Sequence, residues 1–93
     1  MTMKTAICPG EHLAEFLQEY EISQSALAKR MGIPRMRVSQ IVRGERTITA
    51  DTAIRLGLVF GTTPQFWMNL QARYDLELAE PQIVAHSIDP LVA

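Results

Sequence analysis

Six basic side chains crowd one stretch of this chain: Lys29, Arg30, Arg35, Arg37, Arg43 and Arg46 face a single acid, Glu45. Residues 29–46 therefore carry +5 and the remainder −6, although the whole chain is close to neutral at −1. A local cationic footprint of this kind suits a polyanion, because lysine and arginine neutralise phosphates and arginine can also pair with guanine through two hydrogen bonds. The same stretch supplies other groups with base-reading chemistry. Gln40 can pair with adenine, Ser39 with several bases, and Met36 offers an apolar contact to a thymine methyl group.

Other chemistries lack a constellation. His12 and His86 are far apart with no cysteine pair between them, so no metal site is expected. Serine, histidine and aspartate occur, but none in a nucleophile motif such as G-x-S-x-G, and no glycine loop cradles a phosphate. Neither a cofactor nor an enzymatic activity is expected. Cys8 stands alone and cannot form an internal disulfide, consistent with a reducing cytosol. No apolar run approaches the ~20 residues that would cross a membrane, and the N-terminus lacks the apolar core of a signal peptide. The expected location is the cytoplasm, on the nucleoid when bound to DNA.

The elements that must position the basic stretch are helices. The chain has 93 residues, 47% of them hydrophobic, enough for one core. Leu13, Phe16, Leu17 and Tyr20 recur at helical spacing in a first helix from about Pro9-Gly10 to Tyr20. Its outer face carries Glu11, Glu15 and Glu19 at four-residue intervals, like-charge pairs that each destabilise by about 0.2–0.5 kcal/mol. They form either a solvated face or a docking surface for a basic protein. Ser23 caps a second helix with Leu27 and Met31 inside, ended by Gly32. Pro34 suits the first turn of a third helix, which buries Val38, Ile41 and Val42. Thr49 caps a fourth, apolar nearly all round and so expected at the centre of the core, with Asp51 favourably placed at its start. Thr63-Pro64 opens a fifth through Phe66, Trp67, Leu70, Tyr74 and Leu78. Beyond Pro81 a short strand, pairing with residues 4–7, or a tail lying on a partner is expected. This divides the chain into an arm (1–8), a helical domain (9–79) and a tail (80–93).

The informative spacing starts at Gln24. Gln24, Ala28, Gly32, Val38 and Ile41 stand at positions 1, 5, 9, 15 and 18 of the DNA-binding helix-turn-helix, which spans about residues 23–43. Ala28 is small so that two helices cross closely, Gly32 accepts the turn, and Val38 and Ile41 pin the second helix to the core. An ordinary helical hairpin with a solvated basic face would not require all five. With Val38, Ile41 and Val42 inward, Met36, Ser39, Gln40 and Arg43 occupy the middle of the outward face. Arg35 and Arg37 lie about 200° apart around the axis, at its opposite edges. Arg35 is the expected base reader and Arg37 the more phosphate-like contact. Gln24, at the start of a helix, and Arg46 and Thr47, in the following loop, are further expected phosphate contacts.

With these residues in place, "CPGEHLAEFL", "SQSALAKRMGIPRMRVSQIVRGER" and "ITADTAIRLGLVFGTTPQFWMNLQARYDL" resemble the HigA (VapI-like) antitoxins, a branch of the XRE-type helix-turn-helix proteins related to phage repressors. The match covers about residues 8–79; family members usually have histidine where this chain has Cys8. The resemblance implies an all-α, five-helix fold of lambda-repressor type and a bacterial type II toxin–antitoxin module. Such a protein neutralises a HigB toxin, an mRNA endonuclease, and represses its own promoter as a homodimer on a palindromic operator. It also places Gln24, Arg35, Met36, Arg37, Ser39 and Gln40 on the DNA-facing side. A stand-alone XRE-type regulator without a toxin, and an interaction protein that has lost DNA affinity, remain open alternatives. A dimer interface is expected at helix five and the tail, through Phe66, Trp67, Leu91 and Val92, which exceed what so small a core needs.

Overall fold

The computed structural model describes residues 6–92 and contains five helices: α1 (Pro9–Glu19), α2 (Gln24–Met31), α3 (Arg35–Val42), α4 (Ala50–Phe60) and α5 (Pro64–Val84). No strand occurs among the described residues. Helix α2 packs on α3 and α4, α4 on α5, and α1 bridges α3 and α5. The core where they meet contains Leu13, Leu27, Met31, Val38, Ile41, Ala53, Leu56 and Trp67, all nearly or completely buried.

The caps form where the sequence places them, with local differences. The Ser23 and Thr63 hydroxyls accept from the backbone N–H groups of Ala26 and Phe66, each at 3.1 Å. Thr49 occupies the N-cap of α4, but its hydroxyl lies 3.4 Å from Thr52 Oγ1 instead of capping the backbone. Pro34 is the N-cap of α3 rather than its first helical residue. Gly32 ends α2 in the left-handed conformation, at φ 70°, where a side chain would be strained.

Three expectations about burial and extent are corrected. Helix α4 is not enclosed all round: Thr52, Ala53, Leu56 and Gly57 form its inward stripe, whereas Ile54 and Leu58 are exposed. Partner helices α2 and α5 cover only part of its circumference. Tyr20, at the end of α1, is also exposed. Helix α5 does not stop before Pro81 but runs through it to Val84, so residues 83 and 84 are helical, not strand. Proline removes one ladder hydrogen bond, to residue 77. The residues on either side of Pro81 are exposed, so packing does not resist the local adjustment. Of the expected strand partner, residues 4 and 5 lie outside the described residues, and Ala6 and Ile7 form no strand.

The far half of α5 stands clear of the bundle. The radius of gyration is 16.0 Å, against about 12 Å expected for a compact chain of this length. Every residue from Leu78 to Val92 is exposed.

Candidate nucleic-acid interface

The motif residues occupy the positions their roles require. Ala28 is buried where α2 meets α3, and Val38 and Ile41 are buried on the inner side of α3. This fixes which side of α3 faces out. Arg35 and Met36 are exposed there, and Ser39 and Gln40 half-buried beside them. Gln24 is half-buried at the first residue of α2. Arg43 caps the end of α3, exposed, with its guanidinium 3.2 Å from Glu45.

Arg46 and Thr47 are exposed on the loop between α3 and α4. That loop is anchored from beneath: Ile48 is buried, and its N–H donates to Gln71 Oε1 at 2.8 Å. The Gln71 amide nitrogen in turn donates to Asp75 at 3.0 Å. The sequence reading did not single out Gln71. Its available signal was a polar residue four positions after Trp67, on the inward stripe of α5, where a buried amide needs partners.

Arg37 differs from its neighbours. Its guanidinium donates to the Asp51 carboxylate and, at 2.8 Å, to the hydroxyl of buried Thr52, both on α4. Arg55 also donates to Asp51, at 3.1 Å, and to the Met31 carbonyl at the end of α2, at 2.7 Å. Asp51 thus links α3, α4 and the end of α2. Hydrogen bonds from Arg37 first, and then Arg55, hold the Asp51 carboxyl below its ordinary pKa. Arg37, Arg46, Thr47, Thr49 and Thr52 together line a cleft of about 250 Å³ beside the loop.

The expected dimer-interface residues separate. Trp67 is completely buried and is a core residue, which corrects its assignment to an interface. Its indole N–H donates to Thr62 Oγ1 at 2.7 Å, and Phe16 and Phe66 pack on it with ring centroids 5.0 and 5.1 Å away. Adjacent helical positions point about 100° apart, so Trp67 faces inward while Phe66 stays exposed at the rim. Leu91 and Val92 are fully or largely exposed. Among the described residues there is no group of histidine, cysteine, aspartate or glutamate that could hold a metal, and no helix long and apolar enough to cross a membrane.

A buried-backed helix presenting arginine, methionine, serine and glutamine beside an anchored basic loop is the arrangement of a helix-turn-helix DNA-binding domain. The helix-turn-helix family model matches residues 13–67. The chain is 49% identical to virulence-associated protein I of Dichelobacter nodosus, over 81% of this chain and 70% of that one. It is 41% identical to antitoxin HigA-1 of Vibrio cholerae, over 81% and 71% respectively. The solved structure of Pseudomonas aeruginosa antitoxin HigA with the higBA promoter superposes with a TM-score of 0.86 at 47% identity, covering 95% of this chain and all of that one. The chain belongs to the HigA antitoxin family of helix-turn-helix proteins, a family of DNA-binding regulators rather than enzymes.

Proposed function

We propose that the chain is an antitoxin and autorepressor: a sequence-specific DNA-binding homodimer that represses its own operon and neutralises a HigB-type mRNA endonuclease. The observation that carries the DNA-binding part is the outward face of α3. Arg35 and Met36 are exposed on a helix whose opposite side, Val38 and Ile41, is locked in the core. The resemblance to a promoter-bound HigA supports the same reading. Two such helices would enter successive major grooves of a palindromic operator, roughly 34–36 Å apart. The protein would then act in the cytoplasm, on the nucleoid when bound.

Within this face Arg35 reads a base and Arg46 holds a phosphate. Arg35→Ala should relax specificity at one operator position, by roughly 1–3 kcal/mol for a lost bidentate pair. Arg46→Ala should instead weaken all sequences alike and make the salt dependence of the dimer shallower by about 1.8 in the log–log slope, about 0.9 for each protomer. Gel shifts on the protein's own promoter and on single-base variants, across a salt series, measure both. Uniform weakening by Arg35→Ala would remove its base-reading role.

The second copy is proposed to pack along the free half of α5 and the tail. Leu76, Leu78, Ile83, Val84, Ile88, Leu91 and Val92 are exposed there, a longer run of uncovered apolar surface than a monomer usually carries. Removing residues 81–93 should shift the monomer–dimer equilibrium toward monomer in analytical ultracentrifugation, and an unchanged dimer would exclude the tail. For the toxin, the proposal requires a small basic endonuclease encoded beside this chain and co-purifying with it. Absence of such a neighbour would leave a stand-alone regulator.

A further inference from the structure

Arg37 sits on the recognition helix, yet its charge is already engaged within the protein. Its guanidinium is held by Asp51 and by the hydroxyl of Thr52, and its side chain is only 24% exposed. Asp51 is itself held by Arg55, which is tied to the Met31 carbonyl. Thr52 is buried, so one of Arg37's two anchors has almost no exposed surface of its own. The same side chain lines the cleft it shares with Arg46 and Thr47. A freed Arg37 would therefore have room to turn toward a DNA phosphate.

We propose that Asp51 is an affinity-setting residue: its carboxylate holds the Arg37 guanidinium against α4 and so withholds one positive charge per protomer from the DNA backbone. The proposal rests on the DNA-binding reading above. Sequence-independent affinity comes from phosphate neutralisation, which also sets how steeply binding falls with salt. One arginine fewer on the phosphates weakens binding to every sequence alike and leaves the base contacts of α3 untouched, so it lowers overall affinity and salt dependence while the preference for the operator stays with α3. Asp51 is a positioning residue in this arrangement, acting through Arg37.

The test measures binding of the full chain to its own promoter duplex and to an unrelated duplex across a salt series. With Asp51→Ala, the log–log salt slope on the unrelated duplex should steepen by about 1.8, the value of one phosphate contact from each protomer of the dimer. Affinity for both duplexes should rise several-fold, with the preference for the promoter unchanged. In the double variant Asp51→Ala/Arg37→Gln the slope should return to that of the wild type. An unchanged slope in Asp51→Ala overturns the proposal. So does a steepening that persists in the double variant, because Asp51 would then act through its own repulsion of DNA. Should Asp51→Ala fail to fold by circular dichroism, Arg37→Gln alone decides. An unchanged slope supports the proposal, and one shallower by about 1.8 puts Arg37 of both protomers on phosphates in the wild type and overturns it. Failure of the wild type to bind its promoter would instead sink the DNA-binding reading itself.

Discussion

Replacing Trp67 by alanine should destabilise the protein by about 3–5 kcal/mol, the range for a large aromatic removed from a packed core. A chain of this size has roughly 5–14 kcal/mol of total stability, so the loss is a substantial fraction of the whole. Trp67 has no exposed surface, and Phe16, Phe60 and Phe66 all lie within 6.3 Å of its ring centre. Truncation leaves a void that three separate elements would have to close. It also deprives the Thr62 hydroxyl of the indole N–H it accepts from. Urea denaturation with a fixed m-value reads the loss directly. An interface tryptophan would behave differently: its removal would shift the monomer–dimer equilibrium and leave the monomer's own stability nearly unchanged. A loss below about 1 kcal/mol, well short of the core range, would return Trp67 to the surface and undo the core as described.

Trp67 also marks where sequence reasoning runs out. The spacing of Gln24, Ala28, Gly32, Val38 and Ile41 was legible because each of those roles is decided by neighbours within one or two helical turns. A small residue at a close crossing, a glycine at a left-handed turn and two branched residues on one stripe need no knowledge of the rest of the chain. All four structural positions of that motif stand where the spacing puts them, with Ala28, Val38 and Ile41 buried and Gly32 at φ 70°. Two adjacent aromatics, Phe66 and Trp67, pose a different problem. Periodicity says that they cannot both face inward fully, but only the position of α1, with Phe16, decides which one does.

Polar tethers between distant parts of the chain were equally illegible. Arg37 reaches Asp51 across 14 residues, Ile48 reaches Gln71 across 23, and Arg55 reaches Met31 across 24. Composition shows that these groups can pair, not which of them do. Asp51 was readable as a favourable charge at a helix start and Arg37 as an exposed edge, and each description holds locally. Their pairing changes what Arg37 has left to offer DNA. Helix α4 failed for a related reason. Its apolar residues surround most of the axis. The one stripe that marked the uncovered side, Asp51 and Arg55 a turn apart, runs beside Ile54 and Leu58, which the placement of α2 and α5 leaves outside. Pro81 misled in the opposite direction, because a strong local rule for ending helices met an exposed, unpacked segment.

Gly10→Ala should be the most disruptive small substitution in the chain, and its sign is the informative part. At an ordinary helical site, alanine in place of glycine stabilises by about 0.5–1 kcal/mol, because glycine loses more backbone freedom on folding. Gly10 is the second residue of α1 and is buried where that helix crosses the end of α3. A methyl group there would collide with the Ile41 carbonyl oxygen and lie 2.6 Å from that of Val42. Both obstacles are backbone atoms of the recognition helix, so no side chain can rotate out of the way. Either α1 lifts off or the end of α3 moves. The cost should therefore reach the upper end for overpacking, about 3 kcal/mol or more, and outweigh the helix-propensity gain. Whatever folded protein remains should bind its promoter weakly, since the face carrying Met36, Ser39 and Gln40 would be tilted against the loop that carries Arg46. Thermal denaturation and promoter binding by the same variant give the two readouts. A stabilised Gly10→Ala protein with full promoter affinity would mean that α1 does not brace the recognition helix. The orientation of the reading face would then depend on α2 and the Arg37–Asp51 tether alone.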